Sequence, residues 1–214
     1  MNNIKIAIID YGMGNLRSVV NAFNAIGYVA SIVQDPNALS KSSHIVLPGV
    51  GAFADGMKNL RSSGWLDSLE TEIIEKRKPF LGICLGMQLL ATMGTEHGLH
   101  EGLNWISGTV KKIESDEAQV RVPHVGWNDV VFLKKDGLYK DLGDSQAFYF
   151  VHSYVLDVKD KSTVVSGLTG HGIEFVASIE KDNIYATQFH PEKSQKIGLK
   201  VLENFIESTV KTNA

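Results

Sequence analysis

Hydrophobic and polar positions follow two different rhythms along this chain, and the change between them falls near Trp105. In the first half, short apolar runs of strand length are separated by stretches whose apolar residues recur at helical spacing. Ile4 to Asp10 reads as a strand, Leu16 to Ile26 as a helix ending before Gly27, Tyr28 to Val33 as a strand, and His44 to Leu47 as a short buried strand. Gly64-Trp65-Leu66 opens a helix that runs to about Lys76, and Phe80 to Ile83 is the next strand. Alternating strands and helices predict a largely parallel sheet covered on both faces. Beyond Trp105 the runs shorten and polar turns separate them. Strands are predicted at Gly108 to Ile113, Val120 to Val122, Asn128 to Phe132, Ala147 to Ser153, Val164 to Leu168 and Glu174 to Ile179, so the sheet becomes mixed. Asn183 to Phe189 alternates as one more strand, and a final helix covers about Gln195 to Val210.

Composition narrows the class. A chain of 214 residues with 43% hydrophobic content can bury a sizeable core within one domain, so residues 1–214 are expected to form a single unit. One cysteine excludes an internal disulfide, and the N-terminus enters its first strand with no signal-peptide pattern, which points to the cytoplasm. No apolar run reaches membrane-spanning length. A formal charge of −3 without a dense basic cluster argues against nucleic acid as a partner. Lys193, Lys196 and Lys200 make a small basic group that reads as a solvated helix face, with Lys193 considered again below.

Candidate chemistry begins at the lone cysteine, in Gly82-Ile83-Cys84-Leu85-Gly86-Met87-Gln88. An apolar run leads into the glycine pair, and Met87 to Ala91 resumes at helical spacing, so strand, sharp turn and helix follow one another as a nucleophile elbow requires. Glycines at i−2 and i+2 remove side chains that would crowd a strained turn. The helix that starts behind the cysteine favours a thiolate there. A lone cysteine is otherwise often a small buried apolar residue, and the turn context is what favours the nucleophile. The predicted strand ending at Phe189 delivers His190, which Pro191 keeps extended, so the carboxylate of Glu192 at i+2 can lie beside the imidazole. Cys84, His190 and Glu192 then form a nucleophile, its base and the base's orienter. Pro48-Gly49-Val50-Gly51-Ala52 follows a buried strand and is either a loop whose amides converge on substrate or a plain strand-to-helix turn. The amide of Leu85 is one oxyanion donor by elbow geometry. Pro123 to Asn128 carries Trp127 in a turn, where it anchors an interface or packs in the core.

Gly82 to Gln88 together with His190-Pro191-Glu192 resembles the class I (triad) glutamine amidotransferases. Asp10 to Asn15, Pro48 to Ala52, Pro123 to Asn128 and Tyr149 to Tyr154 extend the resemblance to the glutaminase subunits of imidazole glycerol phosphate synthases, over essentially the whole chain. It implies an α/β, three-layer, flavodoxin-like fold with a central, mostly parallel mixed sheet and helices on both faces. By the same resemblance the second oxyanion donor comes from the Gly49-Val50 segment, and its Val50 peptide reorients to donate. Gln88, Gly49, Gly51, His152, Ser153 and Tyr154 are implied contacts to bound glutamine. Asn15, Trp127, Tyr149 and Lys193 match positions that face the (β/α) barrel of a cyclase subunit, which receives the ammonia in a heterodimer and switches the glutaminase on. The expected reaction is hydrolysis of glutamine to glutamate and ammonia through a cysteine thioester, in histidine biosynthesis, with no cofactor. An alternative recipient is a sugar-modifying synthase of surface polysaccharide biosynthesis. Glu96-His97, His100-Glu101 and His171 lie in loops without ligand spacing, so no metal site is expected.

Overall fold

The computed structural model describes residues 4–114 and 120–211. In chain order it begins with β1 (Ile6–Ile9), α1 (Leu16–Ala25), β2 (Ala30–Val33), β3 (His44–Gly49), α2 (Phe53–Ser62) and α3 (Trp65–Leu69), the last prolonged by a π-helical turn at Glu70–Glu75. β4 (Phe80–Cys84), α4 (Leu85–Gln88), β5 (Ala91–Gly94), β6 (His100–Glu101) and β7 (Ile106–Lys112) follow. The rest is β8 (His124–Phe132), β9 (Ser145–His152), β10 (Tyr154–Val158), α5 (Lys161–Val164), β11 (Val165–Gly170), β12 (Glu174–Lys181), β13 (Ile184–Thr187) and α6 (Gln195–Lys211), with a 3-10 turn at Pro191–Lys193 before α6.

A nine-stranded sheet in the order β2-β1-β3-β4-β13-β12-β11-β8-β9 organises the molecule. Strands β2, β1, β3, β4 and β13 pair in parallel, and every pairing from β13 onward to β9 is antiparallel. The switch to antiparallel strands is the one that the shorter runs after Trp105 predict. Alternate residues of the parallel strands feed two separate cores, as strand geometry dictates. Ala7, Ile9, Ile45, Leu47 and Phe80 pack with Phe53, Leu60 and Trp65 of α2 and α3. Ile6, Ile8, Val46, Leu81 and Ile83 pack on the other face with Phe23 of α1 and Leu202 and Phe205 of α6. Helices therefore cover both faces, and the three layers are present. A second sheet, β10-β7-β5-β6, adds Ala91, Val110 and Leu156 to the first of those cores.

Several local expectations need correction. The helix behind Cys84 is a single turn, because the carbonyls of Leu89 and Leu90 accept from Leu103, Trp105 and Ile106 and draw the chain into β5. Only a short helix dipole therefore faces Cys84. Val120 to Val122 is not a strand: Val122 precedes Pro123, which has no N–H to offer a ladder, and β8 starts only at His124. Trp127 accordingly lies on strand β8 and not in a turn. The helix α2 and the strands β5, β6 and β10 have no counterpart among the sequence-based elements.

Two glycines allow the turn after β4 to sit on the sheet. A Cβ on Gly82 would lie 2.8 Å from the Gly86 carbonyl oxygen, and one on Gly86 would lie 1.8 Å from that of Leu47 in β3. Gly86→Ala is expected to destabilise the fold by about 3 kcal/mol through overpacking against backbone. Gly27→Ala, at a positive φ in open space, is expected to cost only about 1 kcal/mol. Urea denaturation of both variants checks the difference, and equal midpoints would refute the close-packing account.

Candidate active site

Strand β4 runs between β3 and β13, all parallel, so Cys84 emerges at the carboxyl end of a central strand, where open α/β sheets place their ligand sites. Its backbone has φ 55° and ψ −107°, a conformation that few side chains tolerate. The strain predicted at the elbow is therefore present, and it turns the sulfur away from the strand. The thiol points toward the Val151 carbonyl at 3.9 Å and accepts from the Gln188 side-chain amide at 3.6 Å.

His190 reaches the same place from the neighbouring strand. Thr187 is in register with Ile83, so the chain beyond β13 runs alongside the nucleophile turn. Nδ1 of His190 and Oε1 of Glu192 lie 2.7 Å apart, and both side chains are 3% exposed. This pairing is as expected, yet its cause differs. His190 itself is extended, but Pro191 starts a 3-10 turn, and that turn folds Glu192 back onto the ring. Burial works against a charge on His190, but the Cys84 thiol and the Glu192 carboxylate outweigh it and hold the imidazole pKa well above its ordinary value. Nε2 has no other hydrogen-bond partner among the described residues, which leaves it for the sulfur. A buried imidazole held between a carboxylate and a thiol is the arrangement of an oriented base beside a sulfur.

The register of β3 on β4 pairs Gly49 with Cys84, so Val50 and Leu85 follow on adjacent strand ends. Both residues thereby flank the turn that carries Cys84. A Cβ on Gly49 would lie 2.1 Å from the Tyr11 hydroxyl, which is buried without a hydrogen-bond partner among the described residues. Burial, and secondly the nearby Cys84, raise the pKa of that phenol.

Eight of the residues singled out in the sequence, Val50, Gly51, Cys84, Leu85, Gln88, His152, Ser153 and Tyr154, line one cavity of about 280 Å³. Gly49, also expected to contact substrate, is not among the lining residues and packs against the Leu85 side chain. Gln88 donates both of its N–H groups, to the Tyr154 carbonyl at 2.9 Å and to Gln188 at 3.0 Å, so its own carbonyl oxygen remains as an acceptor. His152 borders the cavity with its ring already committed: Nδ1 faces the Tyr154 carbonyl and Nε2 faces His124.

Two further residues of this site do not stand out in the sequence. Glu96 lines the cavity and caps α2 by accepting the Phe53 N–H at 2.9 Å. Gln188, fully buried, links Gln88 to the nucleophile. Gln188 sits two residues before His190 on an apolar run, and a polar side chain there is the available signal.

Asn15, Trp127, Tyr149 and Lys193 lie outside the cavity, and the last three gather at the β8–β9 edge of the sheet. Trp127 pairs across β8–β9 with Tyr149, their rings edge to face at 6.2 Å, and the Lys193 ammonium stands 6.0 Å from the Tyr149 ring. Trp127 is 49% exposed, which removes the core alternative. Val125, Asp129 and Val131 share its face, so the outermost ribbon of the sheet presents three apolar side chains to solvent with one carboxylate among them. Asn15 is exposed just before α1. The patch is fastened to the catalytic loop: His190 N–H donates to the Tyr149 carbonyl, Tyr149 N–H donates to Ser194 Oγ, and Ser194 Oγ donates to the His190 carbonyl.

A thiol on a strained strand-to-turn bend, served by a carboxylate-oriented imidazole, defines a cysteine-dependent acyl-transfer enzyme on an α/β sheet. The family model described as "Glutamine amidotransferase class-I" matches residues 7–208, and the chain belongs to that family. It is 49% identical over 200 residues to "Imidazole glycerol phosphate synthase subunit HisH 1" of Campylobacter jejuni, covering 94% of this chain and 98% of the relative. It is 49% identical over 203 residues to "Imidazole glycerol phosphate synthase subunit HisH" of Aquifex aeolicus, covering 94% of this chain and 96% of the relative. Among solved structures, a chain of PurLQS from Thermotoga maritima superposes with a TM-score of 0.71 at 19% identity, covering 96% of this chain and 99% of that one. That last likeness speaks for the fold alone.

The partnership of His190 and Glu192 can be checked by titration. Since Glu192 raises the imidazole pKa, Glu192→Gln is expected to lower it, seen as a fall in the His190 midpoint in a nitrogen-15 NMR titration. An unchanged midpoint would refute the orienting role.

Proposed function

We propose that this chain is the glutaminase subunit of an imidazole glycerol phosphate synthase, hydrolysing glutamine and passing ammonia to a cyclase subunit in histidine biosynthesis. The geometry of Cys84, His190 and Glu192, with Cys84 lining a cavity of about 280 Å³, carries the reading, and the similarity to the HisH subunits supports the pathway over a polysaccharide synthase.

The chemistry follows from the groups in place. The Cys84 thiolate attacks the side-chain carboxamide carbon of glutamine, and the oxygen that gains charge is met by the Leu85 and Val50 amides, each worth ~3 kcal/mol in the transition state. His190 gives its Nε2 proton to the departing nitrogen, releasing ammonia and leaving a γ-glutamyl thioester. His190 then takes a proton from water as the water attacks the thioester, and glutamate leaves with the thiol restored. The Gln88 carbonyl oxygen and the Glu96 carboxylate offer acceptors to the substrate's ammonium group, and the 151–154 segment flanks it.

Ammonia released into water is protonated and lost, so the product is useful only to a second active site. The Trp127, Tyr149 and Lys193 patch, with Asn15, is the surface we assign to that partner, expected to be a (β/α) barrel. Its link to the His190 loop gives docking a direct route to the base.

Cys84→Ala is expected to lower glutamine-dependent turnover of the complex by more than about a thousandfold while ammonia-dependent synthesis continues. Loss of both, in a folded complex, would count against the nucleophile. Glutamate release should rise when a cyclase and its nucleotide substrate are added, and stimulation only by a sugar-modifying synthase would reverse the pathway assignment. Trp127→Ala is expected to weaken cyclase binding by roughly 30-fold, the scale of an interface anchor, as read by calorimetric titration. An unaltered affinity would move the interface elsewhere.

A further inference from the structure

Beside the glutamine pocket, two buried histidines and an asparagine form a chain of hydrogen bonds that admits only one placement of protons. Asn128 on β8 is oriented by two backbone partners: its oxygen accepts from the Asp129 N–H at 2.9 Å, and its Nδ2 donates to the Gly170 carbonyl at 2.7 Å. The second Nδ2 hydrogen is then free to meet Nε2 of His124, 3.3 Å away, which must accept it. Burial, aided by His171, pushes the His124 pKa down to about 4, and burial pushes that of His152 down to about 3. Both rings are therefore neutral at pH 7, and a neutral imidazole has one donor and one acceptor. With Nε2 accepting, His124 carries its proton on Nδ1 and donates to Nε2 of His152 at 3.1 Å. His152 in turn carries its proton on Nδ1 and donates to the Tyr154 carbonyl at 3.0 Å. The His124 ring cannot swing away, being stacked between Phe150 at 4.9 Å and His171 at 4.2 Å.

The Tyr154 carbonyl is also where Gln88 donates, and the other N–H of Gln88 goes to Gln188, whose own amide donates to the Cys84 sulfur. Gln88 is thus held at two points, the Tyr154 carbonyl and Gln188, and the histidine pair fastens the first of these in place. We infer that Asn128, His124 and His152 are positioning residues that, through the Tyr154 carbonyl, hold the Gln88 amide with its oxygen toward the pocket and its nitrogen toward Gln188. The inference rests on reading Gln88 as a contact to glutamine. It gives β8, the strand that carries Trp127, a polar connection to the pocket independent of the His190 loop. Removing the amide at position 128 takes away the donor that fixes the His124 tautomer and frees that ring from its anchor on β8.

The test uses the complex with a cyclase partner and its nucleotide. His124→Phe, which keeps the stacked ring but removes both nitrogens, is expected to raise the glutamine KM roughly tenfold, about one net hydrogen bond, with kcat within about twofold. Ammonia-dependent synthesis should be unchanged. Asn128→Leu should shift KM in the same direction, and Gln88→Leu should shift it at least as far. Nitrogen-15 NMR of the unmodified protein at pH 7 should find His124 and His152 in the Nδ1–H tautomer, the polarity the series requires. If both carry the proton on Nε2, or if Gln88→Leu raises KM while His124→Phe and Asn128→Leu do not, the inference is overturned and the pocket reading survives. If Gln88→Leu also leaves KM unchanged, Gln88 is not a glutamine contact and both fall.

Discussion

The approach of Gly86 to the Leu47 carbonyl is the constraint on which the site depends. Because position 86 lacks a side chain, the turn after β4 can lie against β3 instead of standing off it. Across the same strand pair Gly49 is in register with Cys84, and Val50 and Leu85 follow on the two strand ends. The close approach also leaves Cys84 no ordinary backbone conformation, and the φ of 55° is the outcome. Strain of this kind persists only where the surroundings over-determine it. Here they do, since β4 is held between parallel neighbours and its side chains are divided between two cores.

Electrostatics then builds on that placement. His190 is buried deeply enough that a proton on it ought to be disfavoured, yet the sulfur and Glu192 reverse the balance. The other histidines near the pocket go the opposite way, because neither has a carboxylate partner among the described residues: His124 and His152 stay neutral and serve as directional hydrogen-bond links. A few ångströms thus separate an imidazole built to be charged from two built not to be. This sorting of like residues by their neighbours is how a single pocket obtains one base and a rigid wall.

Much of this is legible in the chain itself, for identifiable reasons. The elbow is readable because glycines at both i−2 and i+2 of a cysteine have few other uses, and the apolar runs of β1, β3 and β4 are continuous because they are buried on both faces. The His190–Glu192 contact is predictable, but through an extended segment where the chain in fact makes a 3-10 turn, since i and i+2 proximity does not distinguish the two. The length of α4 is overestimated because Leu89 and Leu90 continue the helical spacing, while the hydrogen bonds that end the helix come from Leu103 to Ile106. Local periodicity carries no information about such distant partners. The site roles of Gln188 and Glu96 are hidden for the same reason: they arise from contacts about a hundred and about forty residues away, in Cys84 and Phe53.

The Tyr11 hydroxyl bears on how such a protein can change over generations. It fills the space that any side chain at position 49 would need, so the two positions are locked in a fixed order of change. A larger residue at 49 is admissible only in a lineage that has already trimmed position 11. Conversely, loss of the phenol costs the fold little in polar pairing, since the hydroxyl has no partner among the described residues to lose. The smaller residue at 11 is therefore a first step, and Leu85, whose Cβ stands 3.0 Å from the same position, has to give way as well.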